Sequence, residues 1–230
     1  SYTFTFDGGD GTDKLVINNA AYANISTSAV TNIETLDMVS RATTMTAAQY
    51  NMFTTVSNPA AATLTDAGTL ALNTSIVSLT LANGTNNVTA SSTGAAYTLT
   101  GGTGADTFNF GGDLITSGDG IDGGSGTDTL NVTGTTAIDA SDLNGIANID
   151  TVNFANTTTA VAWTSQDNDA SAAMTVDASS LTTGVATLNF SDETTGSAIT
   201  LIGGAAGDTL TGGVRHLSCF LRYGVICVCQ

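Results

Sequence analysis

A nine-residue unit recurs along this chain. Gly8-Gly9-Asp10-Gly11-Thr12-Asp13-Lys14-Leu15-Val16 reads G-G-x-G-x-D-x-U-x, with U a large apolar residue. Gly101-Gly102-Thr103-Gly104-Ala105-Asp106-Thr107-Phe108-Asn109 and Gly123-Gly124-Ser125-Gly126-Thr127-Asp128-Thr129-Leu130-Asn131 repeat it in full. A further copy at 203–211, ending in Asp208-Thr209-Leu210-Thr211, lacks one glycine. Asp119-Gly120-Ile121-Asp122 supplies half a unit in register, with Asp119 nine residues before Asp128. One unit cannot bury its own apolar side chain, so units of this kind must stack.

The period continues where Gly and Asp are missing. Leu70, Leu79, Val88 and Tyr97 are spaced by nine, as are Leu72, Leu81, Ala90 and Leu99. Each U-x-U pair is a short strand with both apolar side chains on one face. With two strands per coil, turns on one edge recur every 18 residues. On that arithmetic Asp106 continues the column of Val88 and Tyr97. Asp106 and Asp128 share an edge after an insertion of four, and Asp119 faces the opposite edge. Thr80, Thr89, Thr98 and Thr107 are expected to point outward at the same period.

A longer repeat overlies the short one. Asn32-Ile33-Glu34-Thr35-Leu36 matches Asn148-Ile149-Asp150-Thr151-Val152, and 8–17 matches 123–132. Two tandem β-solenoid modules follow, 1–118 with Gly-Asp turns at 8–16 and 101–109, and 119–213 with Gly-Asp turns at 119–131 and 203–211. Helix is expected only from Thr46, which has capping-box spacing to Gln49, through about Phe53, and as a turn at 139–143. Residues 214–230 form an atypical tail. They hold all three Cys, the only His and two of the four basic residues. The tail reads either as a terminal strand or staple, or as a frameshifted or misassigned continuation.

Composition narrows the function. Acids number 20 against 4 basic residues, a net charge of -16. Nucleic acid and anionic membranes need basic patches, so neither is an expected partner. No apolar run reaches the length of a membrane span. The body has no His, which removes Ser-His-Asp and His-metal chemistry, and the chain is read as not an enzyme. Ser1 opens no signal peptide, so the expectation is a removed leader, a longer parent chain or another export signal.

The Gly-Asp units carry the chemistry. Calcium takes six to eight oxygen ligands. Glycine permits positive φ, so backbone carbonyls can turn toward one ion, and the Asp adds a carboxylate where turn becomes strand. The candidate metal residues are Gly9, Gly11, Asp13, Gly102, Gly104, Asp106, Asp119, Asp122, Gly124, Gly126, Asp128 and Asp208. Asp7, Asp10 and Asp113 flank the units and stay open between ligand and turn cap.

The units, the Asn-Ile-acid-Thr strands and the Thr/Ala/Asn/Gly-rich body together resemble RTX-type calcium-binding repeat proteins, in the style of bacterial surface-layer proteins and large repeat adhesins. The resemblance implies an all-β, right-handed parallel β-roll or β-helix and Ca2+ between stacked turns. It also implies type I secretion and folding outside the cell, at the bacterial surface or beyond. The expected function is a calcium-dependent, self-assembling extracellular structural protein: a surface layer, filament or adhesin module. Two alternatives stand beside it, an accessory roll of a larger secreted enzyme and a flat-faced solenoid that binds ice or glycan.

Overall fold

A computed structural model describes residues 3–18, 23–72, 75–76, 78–90, 96–111, 114–134, 136–155, 160–165, 173–192, 198–213, 217–220 and 226–229. The chain winds into a parallel β-solenoid of about eight coils, in which every paired strand runs parallel to its neighbours. Strands of two to five residues suffice because most lie between two others, and their short U-x-U pattern buries alternate residues.

The longest wall has eight strands: Thr69–Ala71, Asn87–Thr89, Thr107–Gly111, Thr129–Thr133, Thr151–Phe154, Met174–Asp177, Ile199–Ile202 and Leu217–Phe220. Their inward residues stack as one column, Leu70, Val88, Phe108, Leu130, Val152, Val176 and Leu201. Opposite it lies a seven-stranded wall running from Ala23–Asn24 to Ile146–Ala147, with Leu79, Leu99, Ile121 and Ile146 in register. A four-stranded wall carries the later coils, and there Trp163 meets Phe190 edge-on at 4.9 Å. Ladders pass directly across residue 118, from Thr98–Thr100 to Gly120–Asp122 and from Thr107–Gly111 to Thr129–Thr133.

The coil is not a constant 18 residues. Asn87 pairs with Thr69 at that spacing, but Thr107 pairs with Asn87 at 20, Thr129 with Thr107 at 22, and Thr200 with Thr175 at 25. Leu99 therefore stacks on Leu79 where the nine-residue count had put Tyr97. Asp106 follows Asn86, not Val88 and Tyr97. Strand pairing fixes only the U-x-U segments, and lengthening a turn costs little closure entropy. The outward threonines shift for the same reason. Thr80 pairs with Thr100 and Thr98 with Ser78, so the count by nines gives no column. The longest column is Thr69, Asn87, Thr107, Thr129, Thr151, Thr175 and Thr200 on the eight-stranded wall, and a shorter one, Thr44, Thr63, Thr80 and Thr100, runs on the seven-stranded wall. Beside the longest column the amides of Asn109, Asn131 and Asn153 each donate to the asparagine of the coil before, at 2.8, 2.9 and 3.0 Å.

Helix α1 (Ala47–Met52) sits where the sequence placed it. Thr46 caps it and Gln49 closes the capping box. Its Asn51 side chain imitates a strand: Nδ2 donates to Thr69 O at 2.7 Å and Oδ1 accepts from Ala71 N at 3.2 Å. The segment 139–143 is a turn, not helix, closed by Asp142 N to Asp139 O and by Asp139 N to the Asp142 carboxylate. Thr46→Ala is expected to destabilise the protein by about 1 kcal/mol, read as a lower urea midpoint.

Candidate metal centre

At seven of the described turn-to-strand junctions one backbone N–H points along the solenoid axis with no strand carbonyl to meet it. An acid or amide from the next coil accepts it. Gly68 N donates to Asn86 Oδ1 at 3.2 Å, and Asn86 N to Asp106 Oδ1 at 2.8 Å. Asp106 N donates to Asp128 Oδ1 at 2.8 Å, and Asp128 N to Asp150 Oδ2 at 2.7 Å. Asp13 N donates likewise to Glu34 Oε2, Ala186 N to Asp208 Oδ1 and Tyr97 N to Asp119 Oδ1. Asn86, Asp106, Asp128 and Asp208 are buried. Each rung is a hydrogen bond that leaves no orphan donor, and where the acceptor is ionised the bond is strengthened by charge.

The glycines make this stack tight. Gly84, Gly104 and Gly126 all hold positive φ and lie one above another. Gly104 N donates to Ser125 O at 2.8 Å and Ser125 N to Gly102 O at 3.0 Å. A Cβ on Gly126 would stand 2.0 Å from Gly104 O, and one on Gly124 2.5 Å from Gly102 O. The first glycine of each full unit faces the next coil as well, since an added Cβ on Gly8, Gly101 or Gly123 would stand 2.0, 2.0 or 2.1 Å from a backbone oxygen there, and it also makes room for the sixth-position carboxylate. Added Cβ atoms on Gly101, Gly123 and Gly203 would meet Oδ2 of Asp106, Asp128 and Asp208 at 2.8, 2.8 and 2.6 Å. Gly9 and Gly11 share the positive φ, but nothing lies within 4 Å of their missing side chains.

A second clasp accompanies the ladder. Asn32, Asn58 and Asn148 all have φ near +50°. Their Nδ2 groups donate to Asp7, Asp37 and Asp122 of the coil before, at 2.8, 2.9 and 2.8 Å. Asp7 and Asp122 each also accept the N–H two residues on, from Gly9 and Gly124. The two Asn-Ile-acid-Thr segments thus do one job twice: the asparagine clasps an aspartate and the acid caps the turn.

The candidate ligands divide by what their oxygens already hold. Asp13 Oδ2 and Asp208 Oδ2 are buried with no hydrogen-bond partner, so a cation fits the donor chemistry there. Asp106 has both oxygens engaged, Oδ1 by Asn86 N and Nδ2 and Oδ2 by Gly102 N at 3.3 Å. Asp119 accepts from Tyr97 N, Thr116 N and Thr116 Oγ1, and closes its own turn. Asp122 belongs to the asparagine clasp. Among the described residues no three His, Cys, Asp or Glu side chains gather closely enough to form a cation cage, so any ion would draw on one carboxylate per turn and on backbone carbonyls. Asp113 lies outside the described residues. Asn86, Glu34 and Asp150 are ladder residues that the Gly-Asp motif does not mark. The Asn-Ile-acid-Thr repeat is the signal that could have found the last two.

Burial pushes the Asp128 carboxyl up to about 6, and the charges of Asp106, Asp150 and Asp122 add to it against the N–H bond from Asp106. Asp37 moves the other way, to about 2, held down by Asn58 and then by Lys14, whose Nζ lies 2.7 Å from it. Because the folded state holds the Asp128 proton more tightly, its share of stability is present below pH 4 and is lost as pH rises toward 6. That loss is on the order of 2 kcal/mol. Asp37 contributes above pH 4, and its share disappears as pH falls toward 2. In chelator, the urea midpoint is expected to drop between pH 4 and pH 7, and Asp128→Asn to remove most of that drop.

Coils of unequal length, joined by glycine turns and capped by carboxylates, define a parallel β-solenoid repeat protein. No protein-family model, curated protein or solved structure matches the chain.

Proposed function

We propose that this chain is a calcium-stiffened structural module of an extracellular bacterial repeat protein, exported unfolded and self-associating once folded. The observation that carries the reading is the row of buried acids along the turns, with orphan carboxylate oxygens on Asp13 and Asp208 and an Asp128 carboxyl that resists ionisation. In a chain of net charge -16, such a row opposes compaction until cations neutralise it. Metal binding then contributes folding free energy, so folding waits for a calcium-rich compartment. Gly9, Gly11, Gly102, Gly104, Gly124 and Gly126 shape the turns. Asp13, Asp128 and Asp208 supply carboxylate oxygens, while Asp106, Asp119 and Asp122 act mainly as caps.

Self-association is supported by the way coils stack: among the described residues, strands Thr5–Asp7 and Lys14–Val16 each pair on one side only. Unpaired strand edges invite a further coil, and head-to-tail stacking of copies makes an open filament. Chemistry at a catalytic centre is not part of this reading. Electron microscopy and sedimentation of the purified chain, with calcium and with chelator, test it. Ordered sheets or filaments in calcium only are the expected result; monomers under both conditions would contradict the assembly role.

The threonine column favours a second reading, a flat face that meets an ordered surface such as ice. Thermal hysteresis in solutions of the chain would support it.

A further inference from the structure

We propose that Asp10 is a site of spontaneous modification, where the main chain rearranges to isoaspartate through attack by the Gly11 amide nitrogen. Among the described residues, Asp7, Asp10, Asn83, Asp119, Asp122 and Asn144 each precede a glycine. Glycine has no Cβ to hinder approach to its nitrogen, so every one of these pairs is a candidate by sequence. The fold separates them. Gly8 N donates to Thr31 O at 3.1 Å, Gly84 N to Thr103 O at 2.7 Å, Gly120 N to Tyr97 O at 2.7 Å and Gly123 N to Ala147 O at 3.0 Å. The acid or amide of each of those pairs is held too. Asp7 accepts from Gly9 N and Asn32, and Asn83 from Thr103 N. Asp119 accepts from Tyr97 N and Thr116, and Asp122 from Gly124 N and Asn148. Asn144 has its Oδ1 buried, and its turn is pinned by the bonds Asn144 N to Ser141 O and Ile121 N to Gly145 O. At Asp10 both reacting groups are free. Among the described residues nothing hydrogen-bonds to its carboxylate or to Gly11 N, and both residues are exposed. Nothing lies within 4 Å of the missing Gly11 side chain.

The step balances with water alone. Gly11 N bonds to Asp10 Cγ. The amide proton and the carboxyl proton leave with one carboxyl oxygen as water, and a cyclic imide closes. Water then opens the imide. Breaking the bond from Gly11 N to Cγ restores aspartate. Breaking the bond from Gly11 N to the Asp10 main-chain carbonyl carbon leaves isoaspartate, with the chain routed through Cβ and Cγ. Mass is unchanged, but the turn gains a backbone carbon. Further along the same turn Asp13 N donates to Glu34 Oε2 at 3.0 Å, and a longer turn disturbs that rung.

Ageing the full chain for weeks at neutral pH in chelator, followed by isoaspartyl methyltransferase labelling and peptide mapping, tests the assignment apart from the calcium reading. Isoaspartate is expected at Asp10 roughly tenfold or more ahead of Asp119 and Asp122, whose following nitrogens must first leave their hydrogen bonds. In denaturant these Asp-Gly pairs should age alike, because they share the same dipeptide. Asp10→Ser puts at this place the residue type that another full unit carries as Ser125, so it should fold as the parent does and lose the signal. Equal ageing of the Asp-Gly pairs in the folded protein would overturn the proposal. So would modification of Asn144 ahead of Asp10, or a lead for Asp10 that persists in denaturant.

Discussion

Gly126→Ala is expected to lower stability by about 3–5 kcal/mol, the largest effect of any single methyl in the turns. Three costs add. Gly126 sits at φ 143°, where an L side chain is strained by about 1–2 kcal/mol. The new Cβ would stand 2.0 Å from Gly104 O and 2.6 Å from Gly104 C. Both are backbone, so the coils must part, and the bonds Gly104 N to Ser125 O and Ser125 N to Gly102 O are lost at about 1 kcal/mol each. Two controls separate these terms. Gly11→Ala meets nothing within 4 Å but keeps φ 125°, so only the strain remains, about 1–2 kcal/mol. Gly207→Ala meets nothing and has no positive φ, so it should stay within about 0.5 kcal/mol of the parent. Urea unfolding followed by circular dichroism ranks the three. Equal effects at all three glycines would mean that the coils are not in contact at 104 and 126.

Asp106→Ala is expected to cost about 3 kcal/mol, or roughly 6–12 °C in melting temperature for a chain of this size. The side chain accepts Asn86 N and Asn86 Nδ2, both at 2.8 Å, in a place where neither residue is exposed to water. Removing it strands the Asn86 N–H, which has no other acceptor in the turn. The amide group of Asn86 fares better, since Ala82 O and Gly84 O also accept from it. Asp106→Asn keeps Oδ1 and gives up only the 3.3 Å bond from Gly102 N, so about 1 kcal/mol is expected. The gap between Ala and Asn should persist in chelator, because Asp106 acts through hydrogen bonds alone. If chelator abolishes the gap, its role is metal binding and the assignment of its oxygens is wrong.

Much of the architecture was readable in the nonapeptides. They fix that coils stack, that both side chains of a U-x-U strand face inward, and that glycine must occupy the turn. The capping box at Thr46 and Gln49 carries its own local geometry, so α1 could be placed within a residue. Coil length was not legible. A count by nines treats turns as rigid, whereas ladders such as Asn87 on Thr107 tolerate two extra residues in the intervening coil. That slip moved Asp106 from its true neighbour Asn86 to Val88. The site was half legible for a related reason. Glycine and aspartate mark the turn in the sequence, but whether a carboxylate faces an ion or an N–H depends on the residue one coil away. Glu34 and Asp150 sit 21 and 22 residues past Asp13 and Asp128, too far to read as part of the same motif.

A thermal melt at pH 7, in millimolar calcium and in excess chelator, tests the central claim most directly. Two ions at a hundredfold excess over their dissociation constants would add about 5 kcal/mol, or roughly 10–20 °C. The increment should shrink by about half in Asp13→Asn or in Asp208→Asn, the two positions with an orphan carboxylate oxygen. The same melting temperature with and without calcium, in the parent and in both variants, would contradict it.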